Sequence, residues 1–556
     1  MASAFITAMN TPLTKSGVKG SDVYTEDGVG HPLVALSTML VRGLNPEDIR
    51  ASVQNVLASG DIDMIRDLWV LAFQTRDIRG GKGERDLFYC MIMEMLAHAP
   101  AASRPILELV PEYGCWRDLW KIYEDVESVR DDVHEIVAAK YADDLWNMRD
   151  GKPISLLAKW IPREGAKTFK HLAYKLAAVL FPSKDHKYSM MCYRKAFSAL
   201  NKHLKTVEIN MCGGKWADIQ PGSVPGRNLK LHTQAFLNKP VSRGKKTGRC
   251  RDSDALRFPD NEDRMDCRAN FQEHFKKVES GEATVKGAHT VMPHEIVQKI
   301  DGERDVDTVR ALQGQWASIR DEAAKSGGLR RVVPVSDVSG SMAGVPMEVS
   351  IALGILVSEL NHHAFRDHVL TFHTDPTWVS FKQGVPLVDK VAKLRQAPWG
   401  GNTNFQKAMD MILRRLVEHR VPVGEEPDDI IVFTDMGWDA AVGDSIYHNK
   451  KGSGWETHLE MLHRNFKEAG EKVWGAGNGW KVPRIIVWNL RDAYKDFHAK
   501  ATTEGVVMLS GWSPAVLKAI TGPEGVKVQT PLAGLRAQLD DSRYDPVRAA
   551  ITPFLS

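Results

Sequence analysis

The sequence predicts an α + α/β chain, a helical-repeat body followed by a doubly wound α/β domain, on three observations. Apolar residues recur at helical spacing through the first three hundred positions, the pattern then changes to alternating strand and helix, and oxygen-bearing side chains collect at the ends of the strand candidates. The chain of 556 residues carries Lys+Arg 73 against Asp+Glu 70, a net charge of +3. That balance excludes a histone-like basic protein and an acidic disordered tail, so a nucleic-acid site must be a local patch. At 43% hydrophobic and 26% charged residues the composition is globular, and about 150 residues per domain gives roughly three to four domain equivalents.

The helical reading starts at residues 31–59, two helices in succession. The second opens with Asn45-Pro46-Glu47-Asp48, an N-cap, a proline at the first helical position and acids in the first turn. Ile49, Val53, Val56 and Leu57 share one face, and Met64, Leu68, Leu71 and Ala72 repeat the spacing after Asp61. Leu87, Met91 and Met95 continue it, followed by helices around residues 116–123, 133–146, 169–180 and 193–204. No strand alternation of useful length interrupts this stretch. Stacked helical pairs without an exact period predict a degenerate solenoid of the HEAT kind over residues 1–325, because each pair has apolar surface that only a neighbour can bury.

Ala323-Ala324-Lys325-Ser326-Gly327-Gly328 is a small-residue boundary, and the second domain is expected over residues 329–556. Strand candidates are 331–336, 368–373, 378–381, 429–434, 484–488 and 506–509, with helices around 347–360, 405–417, 455–466 and 514–520. Ligands of such Rossmann-like sheets sit at the carboxyl ends of the strands. Six cysteines lie far apart with no C-x-x-C pair, which argues against zinc knuckles and a secreted disulfide framework. With no basic leader and no apolar run near the ~18 residues that span a bilayer, a cytoplasmic protein is expected.

Two basic features are candidate phosphate sites. Residues 76–85, Arg-Asp-Ile-Arg-Gly-Gly-Lys-Gly-Glu-Arg, form a glycine-rich loop in which Arg79, Lys82 and Arg85 with the backbone amides could hold a phosphate. A tight interhelical turn with a solvated face reads better. Residues 227–251 hold eight cations (Arg227, Lys230, Lys239, Arg243, Lys245, Lys246, Arg249, Arg251) and no acid, a phosphate-backbone surface or a mobile basic loop. Upstream Lys167, Lys170, Lys175, Lys184, Lys187, Arg194, Lys195, Lys202 and Lys205 extend the asymmetry. Tyr188, Tyr193 and Phe236 fall at helical spacing, and core packing explains most of them, so a nucleic acid would be met mainly through its phosphates without an evident stacking platform.

Asp337-Val338-Ser339-Gly340-Ser341 leaves the first strand of the second domain. It is similar to the D-x-S-x-S motif of the von Willebrand factor A (vWA) domain, the metal-ion-dependent adhesion site (MIDAS). Thr403, in Gly401-Asn402-Thr403-Asn404, and Asp435, after Val432-Phe433-Thr434, stand where that family has its loop threonine and second acid. The resemblance implies that Ser339, Ser341 and Thr403 coordinate directly, with Asp337 and Asp435 holding the ion directly or through water. All five are hard oxygen donors of the sort Mg²⁺ selects. Otherwise Asp337 is a structural helix cap. His373 and Asp375 make a hydrolytic centre conceivable, although Thr374-Asp375-Pro376 reads better as a turn. Trp438, Trp455, Trp474 and Trp480 are expected to pack on the sheet edge.

A helical-repeat region followed by an A domain resembles the Ro ribonucleoprotein superfamily, whose TROVE module is a ring of HEAT repeats. Closer in wording is an uncharacterised TROVE/vWA-like family of plants, fungi and large viruses, with phrases similar to residues 76–85, 113–119, 157–160 and 487–491. The resemblance implies a non-enzymatic RNA-binding role, with small or structured RNA as partner and a Mg²⁺-dependent A domain for an acidic protein partner. The alternative is a metal-dependent adhesion or scaffold protein that binds no RNA. A phosphoesterase is weaker, because no base or nucleophile constellation accompanies the five ligands.

Overall fold

The computed structural model describes residues 12–240, 255–372, 376–396, 405–438 and 458–555. The chain folds into two compact units that do not follow sequence order. The first comprises Met1–Val56, Gly80–Lys82 and Ala288–Asp541, and the second Leu57–Arg79, Gly83–Gly287 and Ser542–Ser556.

The first unit is built on a six-stranded sheet. After a hairpin of β1 (Thr14–Ser16) and β2 (Asp22–Tyr24), its strands are β3 (Val332–Asp337), β4 (His368–Phe372), β5 (Thr377–Ser380), β6 (Asp429–Thr434), β7 (Arg484–Asn489) and β8 (Val506–Ser510). They lie in the order β5-β4-β3-β6-β7-β8, parallel except for β5 against β4. Every residue of β3, β6, β7 and β8 is buried, which is why these strands read as continuous apolar runs. The order reverses between β3 and β6, and the register pairs Ser336 with Phe433. Asp337 at the end of β3 and Asp435 just past β6 therefore emerge side by side at the switch point where such sheets bind ligands.

The second unit is helical. Asp61 caps the helix Ile62–Arg76 by accepting from the Met64 amide at 3.0 Å. Helices Asp86–His98, Ser103–Tyr113, Trp116–Asp125, Arg130–Arg149, Lys170–Leu180 and His186–Leu204 follow, and near neighbours in sequence pack on one another. The expected helices over 116–123, 133–146, 169–180 and 193–204 are present. The last helix of this unit, Asp545–Ile551, comes from far along the chain and packs against Ile62–Arg76 and Ser103–Tyr113. Tyr544 stacks on Tyr113 there, ring centroids 5.7 Å apart.

The expectation of one all-α body before Ser326, and with it a division at 325/329, needs correction. Residues 14–24 form a hairpin that strand alternation over a useful length would never reveal, since each strand has three residues. The helix Pro32–Met39 packs on β8, and Pro293–Ile300 and Val306–Ala324 pack on the helix Val345–Leu360. Those helices bury their apolar faces against the sheet unit rather than extending a solenoid. Among the described residues no helix is long and apolar enough to cross a membrane.

Candidate metal centre and basic surface

β3 delivers Asp337 with no exposed surface, and the turn Gly340–Met342 that follows holds Ser341 beside Ser339. The Ser339 amide donates to Asp337 Oδ1 at 2.9 Å, and the Ser339 and Ser341 hydroxyls lie 3.1 Å apart. From β6, the Thr434 hydroxyl donates to Asp337 Oδ2 at 3.2 Å. Asp435 is fully buried, its Oδ1 accepting from the Gly437 amide at 3.1 Å while its Oδ2 is buried without a hydrogen-bond partner. Burial, and then the nearby charge of Asp435, push the Asp337 carboxyl up to about 7, against the opposing hydrogen bonds of Ser339 and the charge of Lys19.

Two buried carboxylates, two facing hydroxyls and an orphaned carboxylate oxygen make a donor set that a hard divalent cation fits. Such an ion would neutralise the pair and use the free lone pairs. Thr403, the expected fifth ligand, lies outside the described residues, as do His373, Asp375 and Trp455. Among the described residues no group of three or more His, Cys, Asp or Glu could hold a metal, so any ion here depends on the serine hydroxyls.

The surroundings contain residues that motif reading missed. Thr434 also accepts from the Met436 amide and from Trp438 Nε1, both at 3.2 Å, tying β6 to the loop that carries Asp435. Trp438 is fully buried between Phe405 and His498, with ring centroids at 4.1 and 3.6 Å. Trp480 is buried too, its indole donating to the Val421 carbonyl, whereas Trp474 is 36% exposed. Gly437 is required by packing, because a Cβ there would meet the Tyr494 ring at 2.4 Å. Lys19 donates to Ser341 Oγ at 3.1 Å, and its ammonium sits 5.5 Å from the Tyr494 ring centroid. A lone lysine in a short turn carries no sequence signal for this placement.

The glycine-rich loop needs correction residue by residue. Lys82 is fully buried, its ammonium donating to the carbonyls of Ser37 at 2.8 Å and Leu40 at 3.4 Å and to Ser510 Oγ at 2.6 Å. Those carbonyls close the helix Pro32–Met39, where a cation is favoured, so Lys82 is a structural residue that no phosphate can reach. In the second unit Arg76 is nearly buried against Asp118 at 2.7 Å, and Asp77 accepts from Arg543 and from the Tyr544 hydroxyl. Arg79 and Arg85 remain at the surface, with Arg79 donating to the Glu112 carbonyl.

Of the basic run at 227–251, Arg227 is exposed, Lys230 half-buried and Lys239 buried. Arg243, Lys245, Lys246, Arg249 and Arg251 lie outside the described residues. The upstream lysines and Arg194 are different. All nine, from Lys167 to Lys205, are exposed, with Asp185 the one acid in that stretch. Tyr193 and Phe236 are core residues as expected, but Tyr188 is 54% exposed and Tyr174 57%. Lys170 and Tyr174, four residues apart on the helix Lys170–Leu180, are neighbours on its surface. Two tyrosine rings are thus exposed within the basic stretch.

Comparison with known proteins finds relatives for both parts of the chain. A profile for a domain of unknown function, DUF7788, matches residues 331–554. The "Uncharacterized protein L728" of Acanthamoeba polyphaga mimivirus is 30% identical over 477 residues, covering 82% of this chain and 76% of its own length. A crystal structure of the RO (RSR) protein of Deinococcus radiodurans aligns over 89% of this chain and 91% of that one, at 12% identity and a TM-score of 0.30, a value too low to establish a shared fold.

Proposed function

The chain belongs to the same family as mimivirus protein L728, and from its own residues we propose that it is a non-enzymatic, Ro-like RNA-binding protein with a Mg²⁺-dependent vWA-type partner site. The observation that carries the RNA reading is the exposed basic stretch of the second unit. Nine surface cations against one acid, with Tyr174 and Tyr188 exposed among them, offer charge for phosphates and rings for unstacked bases. Sequence specificity is not expected from such a surface, because phosphate contacts position the strand without reading it.

The metal part of the proposal rests on Asp337, Ser339, Ser341 and Asp435, with Thr403 proposed as the fifth ligand from its sequence motif alone. A bound Mg²⁺ would present an open position to a carboxylate or phosphate of a partner. Asp337 and Asp435 would supply the charge, Ser339 and Ser341 the neutral donors, and Thr434 would orient Asp337 through its hydroxyl. These groups bind and hold; the proposal assigns them no bond-making step.

Salt-titrated binding of short single-stranded and hairpin RNAs tests the RNA reading. Neutralising about four phosphates implies a log–log slope near −3 for single strands. Replacing Lys184, Lys187 and Lys195 by alanine should flatten that slope, and Tyr188→Ala should weaken binding by roughly 1–3 kcal/mol with the slope kept. Asp337→Ala should leave RNA affinity almost intact. Unchanged affinity in the lysine variant, or no RNA binding at all, would refute the reading and favour a metal-dependent scaffold that binds protein alone.

A further inference from the structure

The turn between β1 and β2 is fastened where it meets the candidate metal site. Lys15 pairs with Asp496 at 2.9 Å and donates to the Lys495 carbonyl at 2.7 Å. The Val18 amide donates to Asp496 Oδ2 at 3.0 Å. Gly17 lies so close that a Cβ would sit 2.7 Å from that same oxygen, and beyond the turn Tyr24 pairs with Phe497. The chain on both sides of Lys19 is thus held to residues 495–497. Its ammonium is directed at Ser341 Oγ, one of the two hydroxyls that face each other beside the buried carboxylates.

That ammonium supplies positive charge where a divalent cation would also supply it, and it engages a lone pair the cation would need. We propose that Lys19 is a built-in counter-cation of this site: it holds Ser341 while no divalent cation is bound and is displaced when one binds, so the hairpin sets the metal affinity. The inference rests on the metal reading above. Its physical content is competition. Ammonium and Mg²⁺ repel at hydrogen-bonding range, so a cation that binds Ser341 Oγ is opposed by the Lys19 ammonium on the same oxygen. Neutralising Lys19, by substitution or by acetylation, removes that opposition.

The test uses the full chain stripped of metal, with MgCl₂ and MnCl₂ as titrants in calorimetry, on wild type, Lys19→Met, Lys19→Arg and Asp435→Asn, each checked for native circular dichroism. Lys19→Met is expected to tighten Kd at least tenfold, Lys19→Arg to stay near wild type, and Asp435→Asn to abolish binding. In parallel, labelling with an amine-acetylating reagent, mapped by mass spectrometry, should rise at Lys19 when Mg²⁺ is added to wild type. It should not rise in Asp435→Asn, and Lys15, tied to Asp496, serves as the internal reference. Equal affinity in wild type and Lys19→Met, with Lys19 labelling indifferent to Mg²⁺ and binding still lost in Asp435→Asn, would overturn the role of Lys19 and leave the metal site standing. No binding of either ion to wild type or Lys19→Met would overturn the metal reading and this inference with it.

Discussion

Lys82 offers the sharpest test of how the glycine-rich loop is used. Lys82→Met keeps most of the apolar stem and the volume while removing the ammonium, so the perturbation is confined to three hydrogen bonds, at 2.8, 3.4 and 2.6 Å. Bonds from a charged donor contribute about 1.5–3 kcal/mol each, and the 3.4 Å contact is at the weak end. Two effects reduce the loss. The Ser510 hydroxyl itself donates to the Ser37 carbonyl at 2.6 Å and reaches the Leu40 carbonyl at 3.3 Å, so neither acceptor is left bare. Methionine is also spared the desolvation that an ammonium suffers in a fully buried position. The net cost should be about 2–3 kcal/mol. With roughly 2–4 °C of Tm per kcal/mol in a unit of this order of size, thermal unfolding should shift down by about 4–12 °C. Circular dichroism melts of Lys82→Met and of the exposed neighbour variant Arg85→Ala would measure this, with Arg85→Ala changing stability by no more than about 0.5 kcal/mol. RNA affinity, measured well below the lowered Tm, should be unchanged in Lys82→Met. An unaltered Tm combined with weakened RNA binding would refute the structural role and restore Lys82 as a phosphate contact.

Two further outcomes follow from buried contacts. Asp118 accepts from Arg76, from the Cys115 amide and from the Tyr89 hydroxyl while fully buried, so Asp118→Asn leaves the guanidinium uncompensated and should cost about 3–5 kcal/mol in urea unfolding; a change under about 1 kcal/mol would mean water replaces the pair. Gly437→Ala must push the Tyr494 ring aside, moving the loop that carries Asp435. Its Mg²⁺-induced rise in Tm should fall well below that of wild type, and an undiminished rise would show that Tyr494 yields without disturbing the site.

Much of the sheet unit was legible because its strands are buried on both faces and read as unbroken apolar runs between turn residues. The carboxylates at their ends were legible for a different reason: the switch between β3 and β6 is a consequence of strand order, which places Asp337 and Asp435 together whatever lies between them. The loop at 76–85 was misread because a cation spells the same in sequence whether it faces solvent, as Arg85 does, or closes a helix from inside, as Lys82 does. In the sequence, core packing explains most of Tyr188, Tyr193 and Phe236, and Tyr188 is the exception: it lies five residues from Tyr193, a spacing that turns a helix by more than a quarter revolution and sends one outward and the other into the core. The three-residue strands β1 and β2 fall below any useful window of alternation, and nothing local in Lys19 announces Ser341. The 113–119 phrase has a physical basis that only coordinates reveal: Cys115 and Asp118 cap the helix Trp116–Asp125 while Asp118 neutralises Arg76.

The interleaving of the two units fixes when, during synthesis, each can close. The helix Pro32–Met39 packs on β8, which is made more than four hundred residues after it. The helices Ile62–Arg76 and Ser103–Tyr113 likewise wait more than four hundred residues, for Asp545–Ile551 and the Tyr544 ring. Nascent chains therefore expose apolar helix faces until those distant partners are made, and loop-closure entropy over such separations makes the final docking slow. A cell expressing this protein must shelter those faces, and its yield should respond to chaperone supply more than to the stability of either finished unit.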